Sequence, residues 1–351
     1  MFATWQVAGW QVACQSADRI CGHRQTGFGH HRKGQDMASS AMAGKLVTLI
    51  GGSGFLGTYV AQELLAKGAR LRVASRNPDK SWHLKPLANL GQLQFARVDV
   101  RNPQSVAAAV AGADFVVNLV GAFDGDLDSV QGSGAGKVAE LAKQAGAKAF
   151  VHISAIGANA DSEIEYQRSK GEGEIAVTEA FPGATILRPS ILFGEDDEFL
   201  NMFGKLIAAL PALPVFAPDA RLQPVFVDDV TAAIVTVLEN DSLAGKTYEL
   251  AGPETVTMLQ LNQRIAKAQD RNRGFLPLPD FVGRTFASLT GWLPGAPITG
   301  DQYAMLAMGN VASGDLPGFA RLGITPRPME LFLDRWMVQY RKHGRFHETA
   351  A

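Results

Sequence analysis

Cysteine is almost missing from this chain: there are two, Cys14 and Cys21, and none in the 330 residues that follow. The body therefore has no disulfide framework and no thiolate metal site, which suits a reducing compartment. Long apolar runs are missing too. No stretch approaches the roughly 18 apolar residues that a membrane-spanning helix needs, so the only membrane contact left open is a peripheral one. Excess charge is also absent. Lys and Arg number 33 against 34 Asp and Glu, a formal net charge of −1 that gives no general attraction to nucleic acid. Neither an internal repeat nor a low-complexity segment is visible, and no histidine falls at metal-ligand spacing near the acids Glu195 to Glu198, so no metal site is expected.

What is present is an ordinary globular composition, 46% hydrophobic and 19% charged over 351 residues, enough for one large or two medium domains. Residues 1–44 differ from the rest. They mix Trp5, Trp10, Cys14, Cys21, His23, His30 and His31 without helical or strand periodicity. Cys14 and Cys21 lack metal-finger spacing, and Met37 and Met42 stand just before the first strand. Arg19, Arg24 and Arg32 keep an organelle presequence as an alternative. The expectation for residues 1–44 is a disordered leader or a mis-assigned translation start.

Lys45 to Ile50 reads as a strand buried on both faces. Leu56, Val60 and Leu64 then repeat at helical spacing, and Gly68 stands where that helix should stop. Between them lies Gly51-Gly52-Ser53-Gly54-Phe55-Leu56-Gly57. Glycines at 51, 54 and 57 permit a tight turn, a close backbone approach and close packing of helix on strand. The helix N-terminus supplies free N–H groups and a favourable dipole for a pyrophosphate. Gly51, Ser53, Gly54, Phe55, Leu56 and Gly57 are thus the candidate phosphate cradle. A glycine triplet alone is a weak signal, but one set between a buried strand and an amphipathic helix is strong.

Further apolar runs alternate with helical patterns: Leu71 to Ala74, Leu93 to Val98, Phe115 to Val120, Phe150 to Ile153 and Thr185 to Leu187, with helices expected over Ser105 to Val110 and Lys137 to Gln144. This is the pattern of an α/β doubly wound parallel sheet, the Rossmann arrangement. It is expected over residues 45–250, with an insertion around 193–222 where Pro211, Pro214 and Pro218 break the regularity. A later strand at Tyr248 to Leu250 follows a helix from Val230 to Leu238. Residues 251–351 form a smaller C-terminal substrate or partner region.

Arg76 follows the second strand, nineteen residues beyond Gly57. An acid there would take the ribose hydroxyls of NAD(H), whereas a guanidinium pairs with a 2′-phosphate, so NADP(H) is favoured over NAD(H). Asp99 and Val100 end the third strand, and Leu119, Val120 and Gly121 end the fourth, where a cofactor would lie against the sheet. Tyr166 and Lys170 are four apart, so a helix puts them on one face. An ammonium near a phenol favours phenolate, drawing a group of pKa ~10 toward acid–base work. The bland alternative is an ordinary helical pair.

With these motifs in place the chain resembles the extended and atypical branch of the short-chain dehydrogenase/reductase superfamily (NAD-dependent epimerase/dehydratase-like) over about residues 45–250. The resemblance rests on the glycine motif, Asp99, Ser154, Tyr166 with Lys170, and Arg188-Pro189-Ser190. It implies Tyr166 as general acid/base, Lys170 as ribose anchor, Ser154 as a hydroxyl near the substrate and Pro189 among the nucleotide contacts. The chain departs from the pattern at Ala155, which stands where extended members carry the catalytic hydroxyl. A closer resemblance, carried by Ala180-Phe181-Pro182 and the segment Phe193 to Asn201, is to the NADPH-binding accessory subunit (alpha subcomplex subunit 9) family of respiratory complex I and its bacterial relatives. It implies a nucleotide kept for structure, complex I subunits as partners, and a cytoplasmic or matrix location at the inner membrane. The alternative is an active NADP-dependent reductase, epimerase or dehydratase acting on a sterol-like, quinone-related or nucleotide-sugar substrate.

Three further features have local readings. Glu195 to Glu198 are acids suited to the N-terminus of a helix from Phe199. Phe281, Phe286, Leu289, Trp292 and Leu293 form an aromatic-rich amphipathic stretch, either a membrane-surface or partner helix or one packed under the nucleotide domain. A terminal helix is expected over Met329 to Tyr340.

Overall fold

The computed structural model describes residues 40–290, 300–342 and 344. Its centre is a seven-stranded, all-parallel sheet. In chain order the strands are β1 (Leu46–Ile50), β2 (Arg70–Ser75), β3 (Leu93–Arg97), β4 (Phe115–Asn118), β5 (Ala149–Ile153), β6 (Thr185–Pro189) and a last strand, Thr247–Leu250. They lie in the order β3-β2-β1-β4-β5-β6 followed by Thr247–Leu250. Strand order reverses between β1 and β4, which pair directly, Ile50 opposite Asn118. Ligands bind at that crevice in open α/β sheets.

Both faces of the sheet are covered, which explains why the strands read as continuous apolar runs. Val47, Leu49, Leu71, Val73, Val117 and Val151 face one core with Leu64 and Ile234. Those two residues come from α1 (Phe55–Ala66) and a helix at Val227–Glu239. Ile50, Ala74, Val116 and Phe150 face the other. Against them pack α2 (Pro103–Val110), α4 (Ser133–Gln144) and α5 (Glu165–Ala180), while the short α3 (Leu127–Gln131) precedes α4. Thr48, the polar member of β1, is buried with its hydroxyl donating to Ala109 O at 3.1 Å.

Several element bounds differ from the sequence reading: α4 starts at Ser133 rather than Lys137, the helix at Val227–Glu239 starts before Val230, and the other differences have a local reason. The helix expected at Ser105 begins at Pro103, because the Asn102 side chain accepts from the amides of Gln104 and Ser105. The β2–β3 connection is a 3₁₀ stretch, Pro78–Leu87, with Pro86 inside it. β4 stops at Asn118, two residues early, as the Val120 amide turns to Asn118 Oδ1.

After β6 the chain builds α6 (Glu198–Ala209), α7 (Val227–Glu239), α8 (Met258–Ala268), α9 (Asp280–Thr290), α10 (Gly300–Met308) and α11 (Glu330–Trp336). The insertion and the region beyond residue 250 share strand pairs: Ala212–Val215 runs with Gly274–Pro277, and Arg221–Leu222 with Val256–Thr257. Asp197 caps α6, accepting from the amides of Leu200 and Gly194, and Asp196 accepts from Tyr59 on α1 at 2.6 Å. α11 covers the expected terminal helix only to Trp336 and then tightens into a 3₁₀ turn at Met337–Tyr340. Phe226, Phe332 and Trp336 stack there, with centroids 4.2 and 4.8 Å apart.

The expected leader ends earlier than residue 44. Met42 is 1% exposed in the core, and Ser40 donates to Glu239, so residues 40–44 belong to the fold. In the amphipathic stretch, Phe281 is exposed and Tyr303 packs over Gly283 while donating to Asp280. The side chains of Phe286 and Leu289, with Trp292 and Leu293, lie outside the described residues. No described helix is long and apolar enough to cross a membrane.

Candidate functional site

The glycine turn sits at the switch point. Gly51 has φ +83°, a left-handed conformation that favours glycine, and a Cβ there would lie 3.1 Å from Leu119 and Val120. The turn is thereby pressed against the end of β4. A Cβ at Gly57 would lie 2.6 Å from Gly52 O, so α1 packs directly on the turn. Gly54 is different. It caps α1 in ordinary extended backbone, and its nearest neighbour to a Cβ is Gly51 O at 3.4 Å, leaving that side open. α1 has no side-chain cap and no acid in its first turn. An uncapped helix start facing an open glycine is a cradle for an anion. Ser53 is partly exposed beside it, Phe55 packs against Gly194, and Leu56 faces the core, so Leu56 can offer only its backbone.

Arg76 is exposed just past β2 and makes no hydrogen bond or ion pair among the described residues. Its charge helps hold the Asp99 carboxyl down, although the larger effect is the Arg101 side chain. Arg101 donates twice to Asp99, at 3.0 and 2.6 Å, and Asp99 falls to about pKa 2. Arg76, Asp99 and Arg101 therefore share one end of the crevice, two cations to one anion. Arg101 was not expected from the sequence; a basic residue two beyond a strand-end acid is its only signal. Val100 faces the core and offers backbone alone.

At the other end Lys170 is buried, 3% exposed, with its ammonium 3.2 Å from Ile153 O and 3.4 Å from Val120 O. It also lies 3.4 Å from where a Gly121 Cβ would be, so α5, β5 and the end of β4 meet at this one cation. Burial pulls the Lys170 pKa down to about 8, against the opposing pull of Glu174. His152, fully buried beside it, is driven down to about 3, first by burial and then by the Lys170 charge. Asn118 Nδ2 lies 3.2 Å from His152 Nδ1. Gln131 bridges two of the elements, accepting from the Ala122 amide at 3.0 Å and donating to Ser169 Oγ at 2.9 Å. No spacing in the sequence singles out His152 or Gln131.

Tyr166 departs from expectation. Its phenol is raised to about 12, by burial, rather than lowered by Lys170. Its hydroxyl makes no hydrogen bond among the described residues, and its ring stacks on Phe123, centroids 4.9 Å apart and planes 14° from parallel. Ser154 is 4% exposed with its Oγ buried and unpartnered, while the half-buried neighbour Ala155 carries only a methyl group. The segment after β5 is laid along β6, Ser154 N donating to Leu187 O and Ile156 N to Pro189 O.

The residues fit a nicotinamide dinucleotide. The Gly51–Gly57 cradle would take the pyrophosphate, Arg76 the adenosine end and Lys170 the far ribose, and the nucleotide when bound supplies a hydride. An NAD(P)H-binding family matches residues 51–201, and the RmlD substrate binding domain family matches residues 158–280. The chain is 33% identical over 332 residues to NADH dehydrogenase (ubiquinone) 1 alpha subcomplex subunit 9, mitochondrial, of Rattus norvegicus, covering 92% of this chain and 86% of that one. A ceramide reductase of Caulobacter vibrioides is 31% identical over 240 residues, 67% of this chain and 74% of that one. The structure of a Citrobacter sp. triphenylmethane reductase complexed with NADP(H) superposes with a TM-score of 0.67 at 20% identity, covering 84% of this chain and 99% of that one. The chain is thus an NAD(P)H-binding, Rossmann-like member of the epimerase and reductase folds, and it belongs to the family of the alpha subcomplex subunit 9 proteins of NADH dehydrogenase (ubiquinone).

Proposed function

We propose that this protein is an accessory subunit of a respiratory NADH:quinone oxidoreductase that holds NADP(H), in preference to NAD(H), as a structural element. One observation supports the structural role: Tyr166, the residue that would do acid–base work, is stacked on Phe123, its phenol is raised, and its hydroxyl makes no hydrogen bond among the described residues. A general acid is most effective with a pKa near the working pH, and a phenol at about 12 is far above it. The preference for NADP(H) rests on Arg76, whose guanidinium has no ion-pair partner among the described residues and would meet the adenosine end. Partners are the neighbouring subunits of the complex, at the cytoplasmic or matrix side of the inner membrane, with contact to the bilayer no more than peripheral. Cells carrying Lys170→Ala should assemble the respiratory complex poorly, and cells carrying Tyr166→Phe should assemble it normally. Normal assembly with Lys170→Ala would overturn this reading.

An active reductase is the second reading. It is favoured by Tyr166 and Lys170 standing one turn apart on α5 and by the likeness to the ceramide reductase. A substrate whose NADPH-dependent reduction is lost in Tyr166→Phe would establish it.

A further inference from the structure

Phe123 is left unused by the nucleotide cradle, yet it is placed with care. It is 66% exposed, on the loop between β4 and α3, and its ring lies nearly parallel to that of Tyr166 at 4.9 Å. The loop is fixed on one side of it, where the Ala122 amide donates to the buried Gln131. On the other side Gly125 turns the chain with φ +83°. The ring thus covers one face of Tyr166 at the mouth of the site. Neighbouring groups do nothing to replace it: Ser154 Oγ is buried, Ala155 is a methyl group, and the Lys170 ammonium is turned to two carbonyls.

We propose that Phe123 is a cap that keeps Tyr166 from meeting an acceptor molecule, so that residue 123 decides between retaining the nucleotide and turning it over. The space the ring fills is flat and parallel to a phenol, and no described charged side chain pairs with either ring. What enters when the cap is removed is therefore a planar, uncharged carbonyl compound of the quinone class, which stacks as Phe123 does. In that event two electrons and one proton pass as hydride from the reduced nucleotide to the quinone. Tyr166 gives the second proton to the quinone oxygen and regains it from water; hydroquinone and oxidised nucleotide leave. The inference rests on the reading that the Gly51–Gly57 cradle holds a reduced nicotinamide nucleotide.

The test compares wild type, Phe123→Ala, Phe123→Leu and Phe123→Ala/Tyr166→Phe. Nitration of Tyr166 by tetranitromethane, followed by mass spectrometry in protein without nucleotide, reads the cap directly. It should rise about two- to tenfold in Phe123→Ala, the range expected when a stacked pair is removed, and less in Phe123→Leu. NADPH-dependent reduction of 1,4-naphthoquinone should rise in parallel, fall back in the double variant, and leave NADPH affinity unchanged. Unchanged nitration would overturn the cap, as would a gain in reduction that survives Tyr166→Phe. Failure of the wild type to bind NADPH would overturn the nucleotide reading instead, and the nitration rates would still judge the cap.

Discussion

Gly54 and Gly57, three residues apart, should behave in opposite ways when given one methyl group. At Gly57 the new Cβ would lie 2.6 Å from Gly52 O and 2.7 Å from Gly52 C, all backbone, so α1 and the turn must separate. Overpacking of this kind costs about 1–3 kcal/mol, and a chain of this size loses ~1–2 °C of Tm per kcal/mol. Gly57→Ala should therefore melt ~1–6 °C lower. At Gly54 the backbone is ordinary and the only close atom is Gly51 O at 3.4 Å, so Gly54→Ala should cost the fold under ~1 kcal/mol, the loss expected at a helix cap. Its methyl group instead enters the space left for the pyrophosphate. Wild type should gain ~2.7 kcal/mol of stability at NADPH a hundred times its Kd, and Gly54→Ala should lose most of that gain. Thermal melts with and without NADPH, with calorimetric titration, separate the two. Gly54→Ala binding like wild type, or Gly57→Ala melting no lower than Gly54→Ala, would refute the cradle.

Arg76→Asp should reverse or abolish the preference for NADP(H); equal wild-type affinity for NAD(H) and NADP(H) in calorimetry would contradict it. Nucleotide affinity should fall as pH rises through about 8, the depressed pKa of Lys170, because only the ammonium attracts a ribose oxygen, and Lys170→Ala should flatten that profile. Asp197 has its pKa raised to about 6 by burial, so its charge burdens the fold as pH climbs from the usual carboxylate range through 6. Asp197→Asn removes the charge and keeps the bond from the Leu200 amide but sets an N–H against the Gly194 amide, so at pH 7 it should lose less than Asp197→Ala, which should cost about 0.5–2 kcal/mol in denaturant melts. A chain beginning at Lys45 loses the buried Met42 side chain and should be less stable than one beginning at Met37 by about 1.5–3 kcal/mol.

The parallel sheet and the glycine turn were legible because their signals are local. Leu46–Ile50 is apolar at every position but Thr48, and the turn and α1 follow within a few residues. Helix starts were less legible: Asn102 and Asp197 cap α2 and α6, which start two residues and one residue before the positions expected, while α4 and α7, without side-chain caps, start four and three residues early. What the sequence hides are contacts between distant segments. Phe123 and Tyr166 are 43 residues apart and carry no shared period, and Gln131 reaches Ser169 across 38. The same distance misled the chemistry of Tyr166. Helical spacing brings Lys170 near it, but the lysine is drawn to carbonyls at the ends of β4 and β5, and burial then raises the phenol.

The central claim is that the protein retains NADP(H) rather than consuming it. Its most direct test is to purify the protein under native conditions, identify and count the nucleotide that comes with it, and follow exchange against isotopically labelled NADPH. The account predicts close to one NADP(H) per chain, exchanging slowly and unaltered by Tyr166→Phe. Protein that arrives empty, or that exchanges its nucleotide rapidly while oxidising it, would contradict the account.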